Sequence, residues 1–180
     1  SSFNRGGRTF IRRNRGDDAS FARLTVDENG LIQAGRPVSH RISRPGALAR
    51  NLGTRPARHQ ALHLVPDQVV RDHPLLEAAR RRGRPSYDVD NVRNGGYLAE
   101  TPADRLAGVS DDLPTHSGSH PTYNSLASRE ADGIMGRLLQ RYGSLENVPP
   151  ETLTLAAHEV ERRMQEQLRN WLRVYGDALR

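Results

Sequence analysis

The chain has no cysteine and no lysine, and only 5% of its residues are aromatic, with a single tryptophan. Without cysteine there can be no disulfide framework and no cysteine-ligated zinc site. Zinc fingers are excluded, and any metal ion would have to sit on His, Asn, Asp or Glu. No apolar run approaches the roughly 18 residues of a membrane span, and the opening SSFNRGGRTFIRRNRG lacks the apolar stretch of a signal peptide. Hydrophobic residues are also scarce, at 35% with a mean hydropathy of −0.74, so part of the chain is expected to lie outside the core, the N-terminus first. Its 180 residues suffice for one ordinary domain with an extra helical lobe.

Because lysine is missing, all 27 basic residues are arginine; they outweigh 21 acids to give a net charge of +6 and a pI near 10.6. This balance favours a polyanionic partner. The planar guanidinium fork grips phosphate, and counterion release adds affinity that does not depend on sequence. An arginine-rich proteome from a GC-rich genome would produce the same bias. A lysine-free protein would also escape ubiquitin attachment in a eukaryotic target cell, and codon bias explains that absence equally well.

Residues 1–18, rich in Arg, Gly and Asn, read as a basic arm or the remnant of a linker. Residues 21–35 carry two β-prone runs around Asp27-Glu28-Asn29-Gly30, the chemistry of a hairpin turn. Loop follows over 36–60, broken by a short helix near Gly46–Asn51. Val69, Val70, Leu75, Leu76 and Ala79 predict an irregular helix after Pro66, broken or restarted at Pro74 and stopped by Gly83 and Pro85. GGYLAE at 95–100 is a strand candidate, and 101–119 is a long polar loop. Helix is expected from Pro121 to about Tyr142, with Leu126, Met135, Leu138 and Leu139 as its apolar positions. A second helix is expected from about Pro150 to Ala178, where Leu153, Leu155, Val160, Met164, Leu168, Trp171, Leu172 and Val174 recur at helical spacing and are read as core residues.

Of the seven histidines, three stand in chemically suggestive contexts: His63 in ALHLVP, and His116 and His120 in THSGSHPTYN. YDVDNVRNGG lies between them, and a strand end, a turn and a helix start would bring the three pieces together. That is a minimal metal-hydrolase layout, in which one imidazole deprotonates water while helix-borne side chains hold a divalent cation at the scissile phosphate. Plainer roles fit the same residues: a core histidine at 63, a capped helix start at GSHP, and a turn pair at Asn94-Gly95. His40, His59, His73 and His158 read as surface or packing residues, with His59 in reserve as a metal ligand.

The pieces ALARNLGTRPARHQALHLVP, DHPLL, YDVDNVRNGGYLAE and HSGSHPTYNSL, between Gly46 and about Ala127, together resemble a nuclease family. It is the family of the HNH and endonuclease VII superfamily named for an Ala-His-His signature. YDVDNVR is also similar to the segment between the catalytic histidines of colicin-type DNases. The resemblance implies a ββα-metal fold, two strands and a helix around one metal ion, in a C-terminal domain of a bacterial polymorphic toxin. Such a domain would be delivered into a target cell and neutralised by an immunity protein.

Carried over, the resemblance makes His63 the general base and His116, His120 and Asn124 the metal ligands. Asn91 and Asn94 fall in the central segment, where an asparagine either braces the catalytic loop or contacts the metal; Asn94 is placed with His63 among the catalytic residues. Asn91, Arg93 and Tyr123 take supporting roles, with Arg93 helping to hold the phosphate. The departure is Leu62, where the family has its first histidine. Either His59 substitutes, or the helix side alone holds the metal, or the domain is a weak or inactive nuclease. The second is preferred, because magnesium tolerates few protein ligands; on that reading a histidine restored at 62 would add a ligand and draw in zinc.

The expectation is thus an α+β domain, residues 19–180, with a ββα-metal (His-Me finger) core at about 57–142, an N-terminal hairpin and a helical part at about 150–178 that buries Trp171. Its activity would be magnesium-dependent hydrolysis of DNA, with manganese or zinc as alternative metals and RNA as alternative substrate. The rival reading is a binding module of the same fold that has lost catalysis, or that engages an acidic protein partner through its basic surface.

Overall fold

A computed structural model describes residues 42–116 and 121–179 with their side chains, and the backbone of four strands within the first 41 residues. The chain divides into two compact units, residues 1–41 and 42–180. In the first, β1 (Ser2–Arg5), β2 (Arg8–Arg12), β3 (Phe21–Val26) and β4 (Ile32–Ala34) form an antiparallel sheet in that order. β3 and β4 are the two arms of the expected hairpin, with Val26 opposite Ile32; its turn lies outside the described residues. The stretch read as a loose arm contributes β1 and β2. Its adjacent Phe10 and Ile11 amid arginines show no period-2 alternation that would separate a strand from a linker.

The second unit runs α1 (Ala47–Leu52), β5 (His59–His63), α2 (Asp67–Asp72), α3 (Pro74–Arg82), β6 (Gly95–Ala99), β7 (Thr115–His116), α4 (Pro121–Tyr142), α5 (Pro150–Tyr175) and β8 (Ala178–Leu179). This is an α+β fold. The break at Pro74 is real, and His73 explains the restart. Its Nδ1 accepts the Leu75 amide at 3.2 Å as the N-cap of α3, while its Nε2 meets Asp132 Oδ1 of α4 at 2.7 Å. Proline at the first helical position forfeits no hydrogen bond.

Burial along α5 follows Leu153, Ala157, Val160, Met164, Leu168 and Trp171, a stripe of helical period that packs on α3 and α4. Leu155 and Val174, expected in the core, fall off this stripe and are exposed, and Leu172 is only half-buried. The matching face of α4 is Tyr123, Ala127, Ala131 and Ile134, one position round from the expected line. Alanines occupy the line of closest approach because small residues let two helices come near. The larger Leu126, Met135 and Leu138 close the seam from its flanks, partly buried. Trp171 is buried as expected, edge-on to Tyr123 with ring centroids 5.6 Å apart, and its Nε1 donates to Ala178 O.

β5 and β6 are antiparallel, with His63 opposite Gly95 and Leu62 opposite Gly96. The Tyr123 hydroxyl donates to Leu64 O at 2.8 Å, which pins the first turn of α4 to the chain just beyond His63. Two strands and a helix start therefore converge at one end of the hairpin, although α2 and α3 are inserted between the strands.

Gly83, at the end of α3, is packed closely against Thr154 of α5. A Cβ there would fall 2.2 Å from Ala79 O and 2.5 Å from Thr154 Oγ1, both held in place by hydrogen bonds of their own. Gly83→Ala is expected to destabilise the second unit by about 2 kcal/mol, the usual cost of overpacking, read as a lower denaturant midpoint with an unchanged slope.

Candidate active site

His63 is the last residue of β5, its side chain 23% exposed, and its Nε2 lies 3.0 Å from Asp90 Oδ1. Asp90 is almost completely buried, at 1% exposure. A carboxylate in such a place must be well supplied with donors. Ser43 Oγ donates to Oδ1 at 2.6 Å, the Arg44 amide donates to Oδ2 at 3.0 Å, and Asn51 Nδ2 donates to the Asp90 carbonyl at 2.8 Å. Burial by itself pushes the Asp90 carboxyl up, but the hydrogen bonds from Ser43, His63 and the Arg44 amide outweigh it and hold the group below the usual carboxylate range. Asp90 is therefore ionised at neutral pH and acts only as an acceptor, so the neutral imidazole of His63 is held in the tautomer with the proton on Nε2 and the lone pair on Nδ1. An imidazole fixed in this tautomer by a buried carboxylate is arranged to take a proton.

The strap Ile42–Arg44 is itself tied down, because Asp67 Oδ1 accepts from the Ile42 and Ser43 amides. Asn94 is fully buried, and its amide is committed to main chain: Oδ1 accepts from Val65 N at 2.7 Å, and Nδ2 donates to Val65 O at 3.0 Å and Val89 O at 2.8 Å. Of the two roles open to an asparagine here, this is the brace; the placing of Asn94 among the catalytic residues is corrected to positioning. Asn91 caps the short turn Val92–Asn94 by accepting from Arg93 N at 3.0 Å. The Arg93 side chain is exposed. Tyr123 is buried, and burial pushes its hydroxyl far above the ordinary tyrosine range, so it serves as a neutral anchor.

His116 is buried in β7, which lies against β5 and β6 and pairs in parallel with β8. His120 lies outside the described residues. Asn124, in the first turn of α4, donates from Nδ2 to Gln68 Oε1 at 3.3 Å, while its Oδ1 is buried without a hydrogen-bond partner among the described residues. An orphaned amide oxygen is a hard donor of the kind magnesium takes, so the residues present fit such an ion. Among the described residues, no three His, Asp or Glu side chains cluster to hold a metal.

His59 is not brought to this site. It lies at the far end of β5, about 13 Å from His63 at strand spacing, with Nδ1 2.8 Å from Ala57 O, and it faces a small cavity lined by Tyr97, Leu106 and Val109. Its reserve role as a ligand at the His63 end is withdrawn.

A family model described as a nuclease family of the HNH/ENDO VII superfamily with conserved AHH matches residues 46–156, well over half of the 180. The chain belongs to this AHH nuclease family. It accordingly acts on nucleic acid by phosphodiester hydrolysis, in a superfamily whose members are generally metal-dependent. The match continues past Ala127 through α4 and into the first turns of α5. No curated protein and no solved structure matches the chain.

In this AHH member the signature reads Ala61-Leu62-His63, and the register explains why leucine is tolerated. Neighbouring strand residues face opposite sides, so Leu62 points into the core, 2% exposed, while His63 points to Asp90. The expectation that a histidine at 62 would add a ligand is not supported by this placement: its ring would replace a core side chain.

Sequence reasoning missed Asp90 and Ser43. No periodicity distinguishes a buried aspartate from the exposed Asp88 two residues earlier; the one available hint was its position beside Asn91 in the central segment.

Leu62→His is expected to lower stability by about 2–4 kcal/mol, as core polar replacements do, with zinc affinity unchanged by calorimetry. Asp90→Asn keeps the shape but offers His63 an N–H, which favours the wrong tautomer, and should cost on the order of 10³-fold in kcat with the fold retained. The lowered Asp90 value adds stability that is full above about pH 4 and is lost as pH falls through the depressed value. Ser43→Ala, which removes one of the lowering contacts, should move the acid-unfolding midpoint to higher pH.

Proposed function

We propose that the chain is a metal-dependent endonuclease that cuts DNA, with His63 as general base and Asp90 as the group that orients it. The observation that carries this reading is the 3.0 Å contact between His63 Nε2 and Asp90 Oδ1, which leaves Nδ1 to accept a proton from water. The hydroxide so formed attacks phosphorus in line, the P–O bond to the leaving sugar oxygen breaks, and that oxygen is protonated from solvent. Asn94 keeps the loop over Val65 and Val89 fixed while this happens. Arg93, exposed three residues beyond Asp90, is suited to grip a phosphate oxygen. His116, His120 and Asn124 are the residues that would hold a divalent cation, magnesium by preference. Such an ion supplies Lewis-acid stabilisation of the charge that builds on the phosphate.

DNA is preferred over RNA by analogy with the superfamily alone. The wider role proposed is that of a bacterial toxin domain delivered into a target cell and held in check by an acidic immunity protein that covers a basic cleft.

The test is incubation of the purified chain with supercoiled plasmid and with single-stranded RNA, in magnesium, manganese, zinc or chelator. Plasmid nicking in magnesium that chelator abolishes is the expected result. His63→Ala should lose at least about 10³-fold in rate while binding DNA as well as wild type, because the arginines remain. Wild-type nicking by folded His63→Ala would remove the base assignment. His120→Ala and Asn124→Ala should each weaken magnesium binding and activity together, with excess metal restoring part of the rate; unchanged binding in both would transfer the ligand set to other residues.

A further inference from the structure

We propose that Glu161 on α5 is a positioning residue for the cleavage reaction, holding the loop that carries Asp90 through Asn91; this rests on His63 being the base. Glu161 stands in the buried stripe of α5, 3% exposed, beside Val160 and one turn from Ala157 and Met164. A packing role alone would be met by leucine, and an ionised carboxylate there is costly unless donors surround it. Three do. Tyr87 Oη at 2.8 Å and Asn91 Nδ2 at 2.9 Å both donate to Oε1, and His158 Nδ1 lies 2.8 Å from Oε2. The His158 ring also stands edge-on to Tyr87, with centroids 5.7 Å apart.

Asn91 passes this restraint to the site. Its Nδ2 donates to Asp88 O at 2.6 Å as well as to Glu161, and its Oδ1 accepts from Arg93 N at 3.0 Å. One side chain thus fixes the main chain two residues before and three residues after Asp90, and its anchor is a helix that makes no side-chain hydrogen bond with His63 among the described residues. If that anchor is lost, the 88–93 turn can drift, and Asp90 moves with it away from His63. Errors of about 1 Å in such a placement cost up to about 10²-fold in rate without touching substrate binding.

Tyr87 separates positioning from mere stability. It shares Glu161 Oε1 with Asn91 and lies beside the Asn91 side chain, but it stands three residues before Asp90, and its hydroxyl donates to Glu161 and not to the main chain of the turn. Kinetics on a duplex oligonucleotide in magnesium, with thermal melts of each variant, should show Glu161→Gln and Asn91→Ala losing about tenfold or more in kcat, with KM within about twofold in Glu161→Gln, which leaves the Asn91 cap on Arg93 N in place. The double variant should be no worse than the poorer single one, since both break the same link. Tyr87→Phe should lower the melting temperature while keeping kcat.

A second readout is independent of turnover: the downfield proton resonance of the His63 Nε2–H···Asp90 bond should shift or vanish in Glu161→Gln and Asn91→Ala and persist in Tyr87→Phe. If Glu161→Gln fails to fold, Asn91→Ala decides. Full kcat and an unshifted resonance in folded Asn91→Ala overturn the proposal, as does an equal loss of kcat in Tyr87→Phe. His63→Ala run alongside keeps the two ideas apart. Wild-type cleavage by that variant means that the base assignment has failed; its loss together with full activity in Asn91→Ala means that only the positioning role of Glu161 has.

Discussion

The Asp90 carboxylate is the constraint on which the site is built. It draws together three stretches distant in sequence: the strap at Ser43–Arg44, the end of β5 at His63, and the loop on which Asp90 itself sits. A charge out of contact with water is tolerated only if each lone pair is met, so the fold must deliver these donors or leave the carboxylate unpaired. The same requirement fixes the histidine. An acceptor that stays ionised leaves one imidazole nitrogen protonated and the other available, so the chemistry follows from the electrostatics of burial.

Around this carboxylate the restraints are layered. Asn94 stitches Val65 to Val89 so that the strand end and the central loop move as one piece, and Tyr123 fastens the start of α4 to Leu64 O. Both side chains replace missing secondary structure. Where β5 runs out, main-chain groups would otherwise be left without partners, and a buried asparagine and tyrosine satisfy them. The helices behind supply the apolar contact that makes these polar links rigid.

Much of this was legible in the sequence, for reasons that differ by element. The two long helices followed from period and from the prolines that start them, and α3 from the proline that separates it from α2. His63 was legible through its motif. Asn94 was located, but its role stayed open, because an asparagine before glycine looks the same in a turn whether or not its amide is buried. Asp90 was invisible, since its importance comes from tertiary burial, which leaves no local trace in YDVDNVRN. The buried Glu161 was hidden for the same reason. Leu62 departs from the pattern, and only the strand register shows that it faces the core. β7 and β8 are too short for any periodicity to announce them.

The strap at Ile42–Arg44 has a bearing on how the chain can be trimmed. It lies just ahead of the segment that matches the family, beginning at residue 46, yet two of the donors to Asp90 come from it. Processing that severs the chain before Ile42 would release the second unit with its base still oriented, whereas loss of residues through Arg44 would strip the carboxylate of both. The sequence at these two points differs as well: Arg41 precedes isoleucine, and Arg44 precedes Pro45. An arginine-directed protease cleaves the first kind of bond readily and the second poorly, so of these two bonds the one it prefers is the one whose scission leaves both donors to Asp90 in place.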